Sequence, residues 1–417
     1  METHLADWIK GTPDGIEAES ILRTCVHCGF CNATCPTYQI TGDELDGPRG
    51  RIYQIKRLLE GETPGASTQL HLDRCLTCRN CETTCPSGVK YGRLVDIGRA
   101  VVAERVPRPA AQRWQRDLLR FALTRRWLFD PAVRLGRALR GVLPAKLRAR
   151  ISPSRDAGAW PQATQARKVL MLNGCVQPAL MPSIDAATAR VLDACGVEAV
   201  IAPDSGCCGA LDFHLDAHTA AQARARRNID AWLPHLERTV DNRGVDAIVI
   251  NASGCSVMVK DYAHLLRDDP AYADKARRIA AATRDLAEYL PPLLGALAPR
   301  QSAPPSDTLR RVAFHPPCTL QHAQKITGVI EAVLTAFGAE LVPFAEAHLC
   351  CGSAGTYSIL QPAFSQALRD RKLDNLQRNR PAMILSANIG CLAHLETAAR
   401  IPVRHWIEWI DARLAAH

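Results

Sequence analysis

The chain has 417 residues, of which 47% are apolar, and a formal net charge of +9. This length predicts two or three domains, and the apolar fraction is sufficient for their cores. Seventeen cysteines, an odd count in a chain of this length, exclude a small secreted disulfide scaffold. The opening residues METHLADWIK carry acidic side chains and no apolar segment, and no run approaches the roughly 18 apolar residues that span a bilayer. We therefore expect a cytoplasmic protein whose thiolates bind metal.

Residues 1–104 contain the pattern C-x2-C-x2-C-x3-C-P twice. Bacterial ferredoxins wrap four-iron clusters with this run, and in two-cluster proteins its fourth cysteine ligates the other cluster. We therefore predict one [4Fe–4S] cluster on Cys25, Cys28, Cys31 and Cys85. A second [4Fe–4S] cluster is predicted on Cys75, Cys78, Cys81 and Cys35. The crossing would place the two redox centres side by side.

Zinc is the main alternative for these cysteines, because C-x2-C pairs are common zinc ligands. A zinc site would use two such pairs, whereas each run here supplies a third cysteine and a fourth followed by proline. The spacing favours iron–sulfur clusters over zinc or disulfides. Between the two runs, Pro48 and the apolar residues at 52, 55, 58 and 59 predict a helix that ends near Gly61, and YGRLVDIGRAVVAE predicts another after the second run.

Residues 105–166 are basic and interrupted by prolines, and we expect them to form connecting helices and a linker. From Arg105 to Lys168 there are sixteen Lys/Arg and three Asp/Glu, so this stretch carries +13 and the rest of the chain about −4. Residues 113–129 predict one amphipathic helix, with an apolar side formed by Trp114, Leu118, Phe121 and Leu128. The stretch could dock on a subunit or an anionic membrane surface, or be a solvated linker with paired arginines. Nucleic acid is a poor candidate, because a charge run alone supplies only sequence-independent attraction.

Residues 167–417 contain two copies of one pattern. KVLMLNGC, VEAVIAP and AIVINASGC predict three buried strands in the first copy, and RVAFHPPC, ELVPF and AMILSANIGC predict three in the second, with helices between them. This alternation favours parallel sheets with cysteines at the carboxyl ends of the strands, where ligands bind. We predict two α/β domains, 167–301 and 302–417, joined at SAPPSD (302–307). The fold class is thus α+β multidomain, with a helical two-cluster domain before two α/β repeats.

Each copy contains a CCG tripeptide and four cysteines in matching places. The first set is Cys175, Cys207, Cys208 and Cys255, and the second is Cys318, Cys350, Cys351 and Cys391. Adjacent cysteines diverge, so a bend at Gly209 or Gly352 would be needed for both to reach one cluster. These cysteines could also be core residues. Cys195 has no counterpart in the second copy, and we expect it to be a packed helix residue.

These stretches resemble a known family, the iron–sulfur subunits of bacterial glycolate oxidase, also called glycolate dehydrogenase. The resemblance is carried by CVHCGFCNATCPTYQITGDELDGPRGRI, HLDRCLTCRNCETTCPSGVKYGRLVDIGR and the two CCG segments. It implies an electron-transfer subunit that relays electrons from flavoprotein subunits, which oxidise glycolate to glyoxylate, towards a quinone, with peripheral association at the cytoplasmic face of the inner membrane. The sequence has no G-x-G-x-x-G after a strand, in agreement with flavin sites on partner subunits. Subunits of anaerobic glycerol-3-phosphate or lactate dehydrogenases remain an alternative.

The sequence departs from the related heterodisulfide reductases, in which each repeat ends in C-x2-C. Met258 and His394 occupy the second cysteine positions here, which argues against a thiol–disulfide enzyme. Because histidine is a good ligand and methionine a weak one, a further cluster is more credible in the second repeat, on Cys318, Cys350, Cys351, Cys391 and His394, than in the first. His315 and His348 are expected to be local hydrogen-bonding residues.

Overall fold

The computed structural model describes residues 1–142, 144, 153, 155–237, 244–297 and 310–414. The expected joint at 302–307 lies outside the described residues. Within the described parts, the N-terminal region is helical, and two α/β repeats with parallel sheets follow it. The predicted fold class is confirmed.

The N-terminal region consists of short helices around the two cysteine runs. They are α1 (Pro13–Thr24), α2 (Phe30–Ala33), α3 (Pro36–Thr41), a 3-10 turn (Glu44–Asp46), α4 (Pro48–Leu59), α5 (Ala66–Asp73), α6 (Asn80–Thr84) and α7 (Tyr91–Arg105). Proline suits the first position of a helix, because its missing N–H would have no partner there, and α1, α3 and α4 begin at prolines. The helices predicted from Pro48 and from YGRLVDIGRAVVAE are both confirmed.

Helices α4 and α7 form the core of this region. The apolar stripe of α4 is buried, and Ile55 lies so close to α7 that a Cβ on Gly98 would come within 2.6 Å of it. The close approach of the buried Ile55 side chain to the backbone of α7 explains the glycine at this position. The two helices therefore form a rigid base for the cysteine-bearing loops.

The basic region forms two helices, α8 (Ala110–Leu123) and α9 (Arg126–Ala138), and the prediction of one helix over 113–129 is wrong. The break lies at Thr124, whose hydroxyl donates to the Arg120 carbonyl at 2.5 Å and accepts from Arg224 at 2.6 Å. A threonine that bonds back to the chain competes with helix continuation. The contact with Arg224, 100 residues away, fixes the break.

Each repeat has a four-stranded parallel sheet. The first contains β1 (Arg167–Met171), β2 (Val197–Ile201), β3 (Ala247–Ile250) and β4 (Thr283–Asp285), in the order β2-β1-β3-β4. The second contains β5 (Arg311–His315), β6 (Glu340–Leu341), β7 (Met383–Ser386) and β8 (Val403–His405), in the equivalent order β6-β5-β7-β8. The sequence predicted three strands per repeat, and the structure adds the short fourth strands β4 and β8.

Helices connect the strands of both sheets. In the first repeat they are α10 (Gln177–Leu180), α11 (Pro182–Ala194), α12 (Ala210–His214), α13 (His218–Glu237), α14 (Ser253–Lys260), α15 (Tyr262–Leu265), α16 (Ala273–Ala282), α17 (Leu286–Tyr289), a 3-10 turn (Pro291–Leu293) and α18 (Leu294–Leu297). In the second they are a π-turn (Thr319–Ala323), α19 (Val329–Ala336), α20 (Tyr357–Leu360), α21 (Pro362–Gln377), α22 (Ile389–Glu396) and α23 (Trp406–Asp411). Cys255 and Cys391 lie in the first turns of α14 and α22, a few residues after β3 and β7 and not at the strand ends as predicted.

The two repeats share one hydrophobic core, in which α11 of the first repeat packs against α23 of the second. The carboxyl ends of β3 and β7 also meet: the Ser253 amide donates to the Ala387 carbonyl at 3.1 Å, and the Ser253 and Thr319 hydroxyls lie 2.7 Å apart. The edges that bear the cysteines therefore face the same interface.

The N-terminal region contacts both repeats. Arg93 forms an ion pair with Asp261 of the first repeat. The Thr83 hydroxyl lies 3.0 Å from Nδ1 of His322, and the Tyr357 hydroxyl donates to the Arg74 carbonyl at 3.1 Å, both contacts with the second repeat. Among the described residues, no helix combines the length and the apolar character needed to cross a bilayer.

Candidate iron–sulfur centres

The first cysteine run surrounds a cavity. Helix α1 ends at Thr24, and the chain then turns through His27 and Gly29, both with positive φ (59° and 89°). These turns direct the run around a cavity lined by Cys25, Cys28 and Cys31, and by Cys85 from the second run. The apolar side chains Ile52 and Val89 complete its wall.

The second run repeats this geometry. Positive φ recurs at the corresponding positions, Thr77 (52°) and Arg79 (58°). The cavity that follows is lined by Cys75, Cys78 and Cys81, with Cys35 from the first run. Pro48, Cys81 and Tyr91 line both cavities, so the two are neighbours.

The structure therefore groups the eight N-terminal cysteines in the two crossed sets that the spacing predicts. Two donors point at Sγ of Cys75: the Tyr91 hydroxyl at 3.5 Å and the Thr77 amide at 3.4 Å. The Thr37 hydroxyl lies 3.3 Å from Sγ of Cys35 and donates to the Asp46 carbonyl at 2.7 Å. Hydrogen bonds to ligand sulfur tune the potential of iron–sulfur clusters. The donor set, thiolates with amide and hydroxyl groups around them, fits an iron–sulfur cluster in each cavity. Ligation itself stays a prediction.

Burial makes these thiols hard to ionise in the absence of a metal. Burial, reinforced by Cys25 and Cys85, raises the pKa of the Cys31 thiol to about 11. The pKa of Cys81 rises well above its usual range, mainly through burial and then through Cys78 and Cys75. Because the thiolate is the ligand form, cluster assembly must displace these protons.

A buried cation lies beside the second cavity. Arg51, only 1% exposed, lines that cavity and donates to the His71 carbonyl at 2.7 Å and to the Thr37 hydroxyl at 3.1 Å. Asp46, fully buried, accepts from Arg74 at 2.8 Å and lies 3.5 Å from Arg51. The positive charge of Arg51 favours electron-rich thiolates in this cavity.

The cysteines of the second repeat lie next to the second cavity. Cys318 and Cys350 belong to one buried group of side chains, and Cys78, a predicted ligand of the second cluster, packs against this group. Cys350 contacts Cys351, which in turn contacts Cys391. All four cysteines of this repeat are buried. Their contact with Cys78 is a feature that sequence analysis missed, since no local pattern joins residues so far apart.

The cysteines of the first repeat form a similar series. Hydrogen bonds from the thiols of Cys175 and Cys208 hold the pKa of Cys207 well below its usual range. Cys208 also contacts Cys255. The glycines after both pairs have the positive φ that the bend requires, 92° at Gly209 and 87° at Gly352.

The histidines differ from expectation. His394 is turned towards Ser365, 3.1 Å from its hydroxyl, and the structure does not bring it together with the cysteines. The expectation that His315 hydrogen-bonds locally is wrong: its ring is fully buried and neither nitrogen has a hydrogen-bond partner. His348 is exposed, and its carbonyl accepts from His322 at 2.8 Å. Cys195 lies at the carboxyl end of α11 and packs on the shared core, as expected.

Helices α8 and α9 expose their apolar sides, and α8 turns Arg116 and Arg120 inward. Trp114 and Trp127 are 67% and 69% exposed, and the outer side also carries Leu118, Phe121, Leu135 and Leu139. On the opposite side, Arg116 pairs with Asp73 at 3.1 Å and Arg120 with Asp212 at 3.0 Å. The expected pairing of arginines within the chain is thus present, together with an exposed apolar face that pairing alone does not explain.

A helical region with two cysteine-lined cavities packs against two cysteine-rich α/β repeats. This combination assigns the chain to the class of iron–sulfur electron-transfer proteins. The chain matches the family described as "4Fe-4S dicluster domain" over residues 21–89 and "Cysteine-rich domain" over 169–260 and 312–396. It is 50% identical to the glycolate oxidase iron-sulfur subunit of Escherichia coli (strain K12), over 99% of both chains. The chain belongs to the family of glycolate oxidase iron–sulfur subunits.

Two further relatives define the extent of this similarity. The probable glycolate oxidase iron-sulfur subunit of Bacillus subtilis (strain 168) is 30% identical over 91% of this chain and 89% of its own length. Lactate utilization protein A of an Exiguobacterium species is 26% identical over 53% of this chain and 85% of its own length. The lactate-utilisation relatives are thus more distant and match a smaller part of the chain.

The crossed grouping predicts how paired cysteine variants will lose iron. Cys28→Ser combined with Cys85→Ser should lose about four irons, because both residues serve one cluster, whereas Cys28→Ser combined with Cys78→Ser should lose about eight. Iron and acid-labile sulfide on anaerobically purified protein give the counts, with Cys195→Ser as the control. If the first pair loses about eight irons and Cys78→Ser with Cys85→Ser only about four, the crossed assignment is wrong.

Proposed function

We propose that this chain is the electron-transferring subunit of a glycolate dehydrogenase complex. Electrons from glycolate, oxidised to glyoxylate on partner flavoprotein subunits, would pass through its clusters towards a quinone. The observation that carries the proposal is the pair of neighbouring cavities, the first lined by five cysteines and the second by four, with both runs contributing to each. Two adjacent one-electron centres suit a relay between a two-electron flavin and a separate acceptor. The named relatives support glycolate over lactate as the substrate of the complex.

In this proposal the first cluster is held by Cys25, Cys28, Cys31 and Cys85, and the second by Cys75, Cys78, Cys81 and Cys35. The first faces the surface: Cys28 is exposed, and the adjoining Val26 and Phe30 are 69% and 64% exposed. Exposed apolar side chains around a redox centre suit a docking site for an electron-transfer partner. The second is deeper, beside Arg51 and Cys318. We therefore assign the first cluster to exchange with a partner protein.

The exposed apolar face of α8 and α9 supports association with an anionic membrane surface, on the cytoplasmic face of the inner membrane. Trp114 and Trp127 are the side chains that bilayer interfaces favour. Arg113 and Arg134, both exposed on the same helices, would meet anionic headgroups, and the sequence around them is strongly basic. Such a location would bring the subunit to a membrane quinone.

The relay is tested by separating flavin reduction from quinone reduction in the purified complex. With Cys28→Ser, glycolate should still bleach the flavin of the partner subunit, because that chemistry does not use this chain. Reduction of a soluble quinone analogue should fall to background, whereas Cys195→Ser should behave as the unaltered complex. Quinone reduction at the unaltered rate in Cys28→Ser, with its first cluster lost, would remove this chain from the electron path.

Membrane association is tested with vesicles of phosphatidylglycerol and phosphatidylethanolamine against phosphatidylcholine alone. The cluster-loaded chain should sediment with the anionic vesicles, less so as salt rises. Trp114→Asp with Trp127→Asp should weaken binding at least about tenfold, since burying one large apolar side chain contributes on the order of 1.5–3 kcal/mol. Ile359→Asp, which changes an exposed apolar residue elsewhere, is the matched control. If the double variant binds vesicles normally but loses its flavoprotein partners, the face docks protein and the membrane proposal is wrong.

A further inference from the structure

The second repeat contains a buried imidazole whose environment is incomplete. His315 ends β5 and is 0% exposed, and neither Nδ1 nor Nε2 has a hydrogen-bond partner. Leaving one buried polar group without a partner costs about 1–3 kcal/mol, and native structures rarely leave one so. Two unpartnered nitrogens on one ring therefore point to a ligand at this position.

Two thiols face this ring. The ligand atoms of His315, Cys351 and Cys391 all lie within 4.8 Å of one another, and all three residues are buried. They come from three elements: the end of β5, the loop after β6 and the first turn of α22. They converge at the carboxyl edge of the sheet, which is where open α/β sheets bind ligands.

The spacing fits one ion better than a cluster. Zinc–sulfur bonds of about 2.3 Å and zinc–nitrogen bonds of about 2.0–2.1 Å put tetrahedral ligand atoms roughly 3.5–3.8 Å apart. A cubane interposes four irons, so its ligand sulfurs stay farther apart. Within the described part of the chain, no three of the N-terminal cysteines come as close together as this group does. The group in the second repeat is therefore of a different kind from the two N-terminal sets.

We propose that His315, Cys351 and Cys391 bind a single divalent ion of the zinc type. Two thiolates and one imidazole neutralise its charge, which suits a buried site, and histidine with cysteine is a donor set that zinc prefers. Cys350, which neighbours Cys351 and is buried, is the thiol that we assign to the fourth position. The buried Lys372 lies among the neighbouring thiols and donates to the Glu346 carbonyl at 2.5 Å, so it offers a counter-charge for further thiolates.

In the described residues of the first repeat, no matching group of a histidine and two cysteines occurs. Three residues before its first cysteine stands Leu172, where the second repeat has His315 before Cys318. The sheets are otherwise equivalent in strand order. The ion would thus occupy only the repeat whose Cys318 contacts Cys78 of the second cluster cavity. Since zinc carries no electrons, its role there is to fix the thiol-rich edge of this repeat next to the cluster. This inference is independent of the proposed electron transfer.

The first test measures the metal in the unaltered complex, purified anaerobically and then dialysed against zinc-free buffer. We expect about one zinc per chain besides the cluster iron, and zinc X-ray absorption with sulfur at about 2.3 Å and nitrogen at about 2.0–2.1 Å. Absence of zinc from a chain with intact N-terminal clusters, or a zinc spectrum without a nitrogen ligand, overturns the proposal.

The second test substitutes the histidine. His315→Leu copies Leu172 of the first repeat, and it should lower zinc occupancy at least tenfold while leaving the N-terminal cluster EPR signals and the iron count unchanged. His394→Leu, a matched change of the partly buried histidine that faces Ser365, should keep its zinc. If His315→Leu retains zinc, the assignment of His315 is wrong. If it loses iron and sulfide instead, the group holds an iron–sulfur cluster and the single-ion proposal is wrong.

Discussion

The structure depends on one arrangement of two short cysteine runs, in which each run places its fourth cysteine in the cavity of the other. Cys85 lies in the cavity of the first run and Cys35 in that of the second. Neither cavity has four cysteines without the other run, so each site requires both runs to be folded together. The loops that carry these cysteines pack on the buried apolar sides of α4 and α7. The ion pair of Arg51 and Asp46 stabilises the same region. The neighbouring position of the two cavities, which the proposed electron relay requires, follows from this one constraint.

The two repeats share a fold and differ in chemistry. Their sheets have the same strand order, their CCG glycines the same left-handed backbone, and their core is common. The second repeat carries His315 against the thiols and touches the second cluster cavity through Cys318, whereas the first has Leu172 at the corresponding position. The two repeats are thus similar scaffolds, and the contact with the N-terminal region distinguishes the one that contains the proposed nitrogen ligand.

The features that the sequence predicts correctly are those that depend on residues close together in the chain. Cysteine spacing predicted the grouping of eight thiols, proline and apolar periodicity predicted α4, and apolar runs predicted three strands in each repeat. The features that it missed depend on distant residues. Thr124 ends α8 because Arg224 donates to its hydroxyl. Arg116 and Arg120 turn inward because Asp73 and Asp212 lie beneath them.

The site chemistry divides in the same way. His315 looked like any strand-end histidine, since only the assembled sheet removes its hydrogen-bond partners and brings Cys351 and Cys391 to it. His394 looked like a ligand from its spacing to Cys391, but the helix that carries both turns its ring to Ser365. Spacing predicts which side chains come together where one loop surrounds a cavity, and it predicts this poorly where separate strands and helices converge. The domain boundaries stay predictions.

The most direct measurement for the central claim is low-temperature EPR of the fully reduced, anaerobically purified complex, with iron and sulfide determined on the same sample. Two adjacent four-iron clusters predict about eight irons and eight sulfides per chain, and a spectrum broadened by magnetic interaction between the two centres. A colourless chain that contains zinc in the N-terminal cavities and no iron would contradict the account, as would two reduced clusters with no detectable interaction.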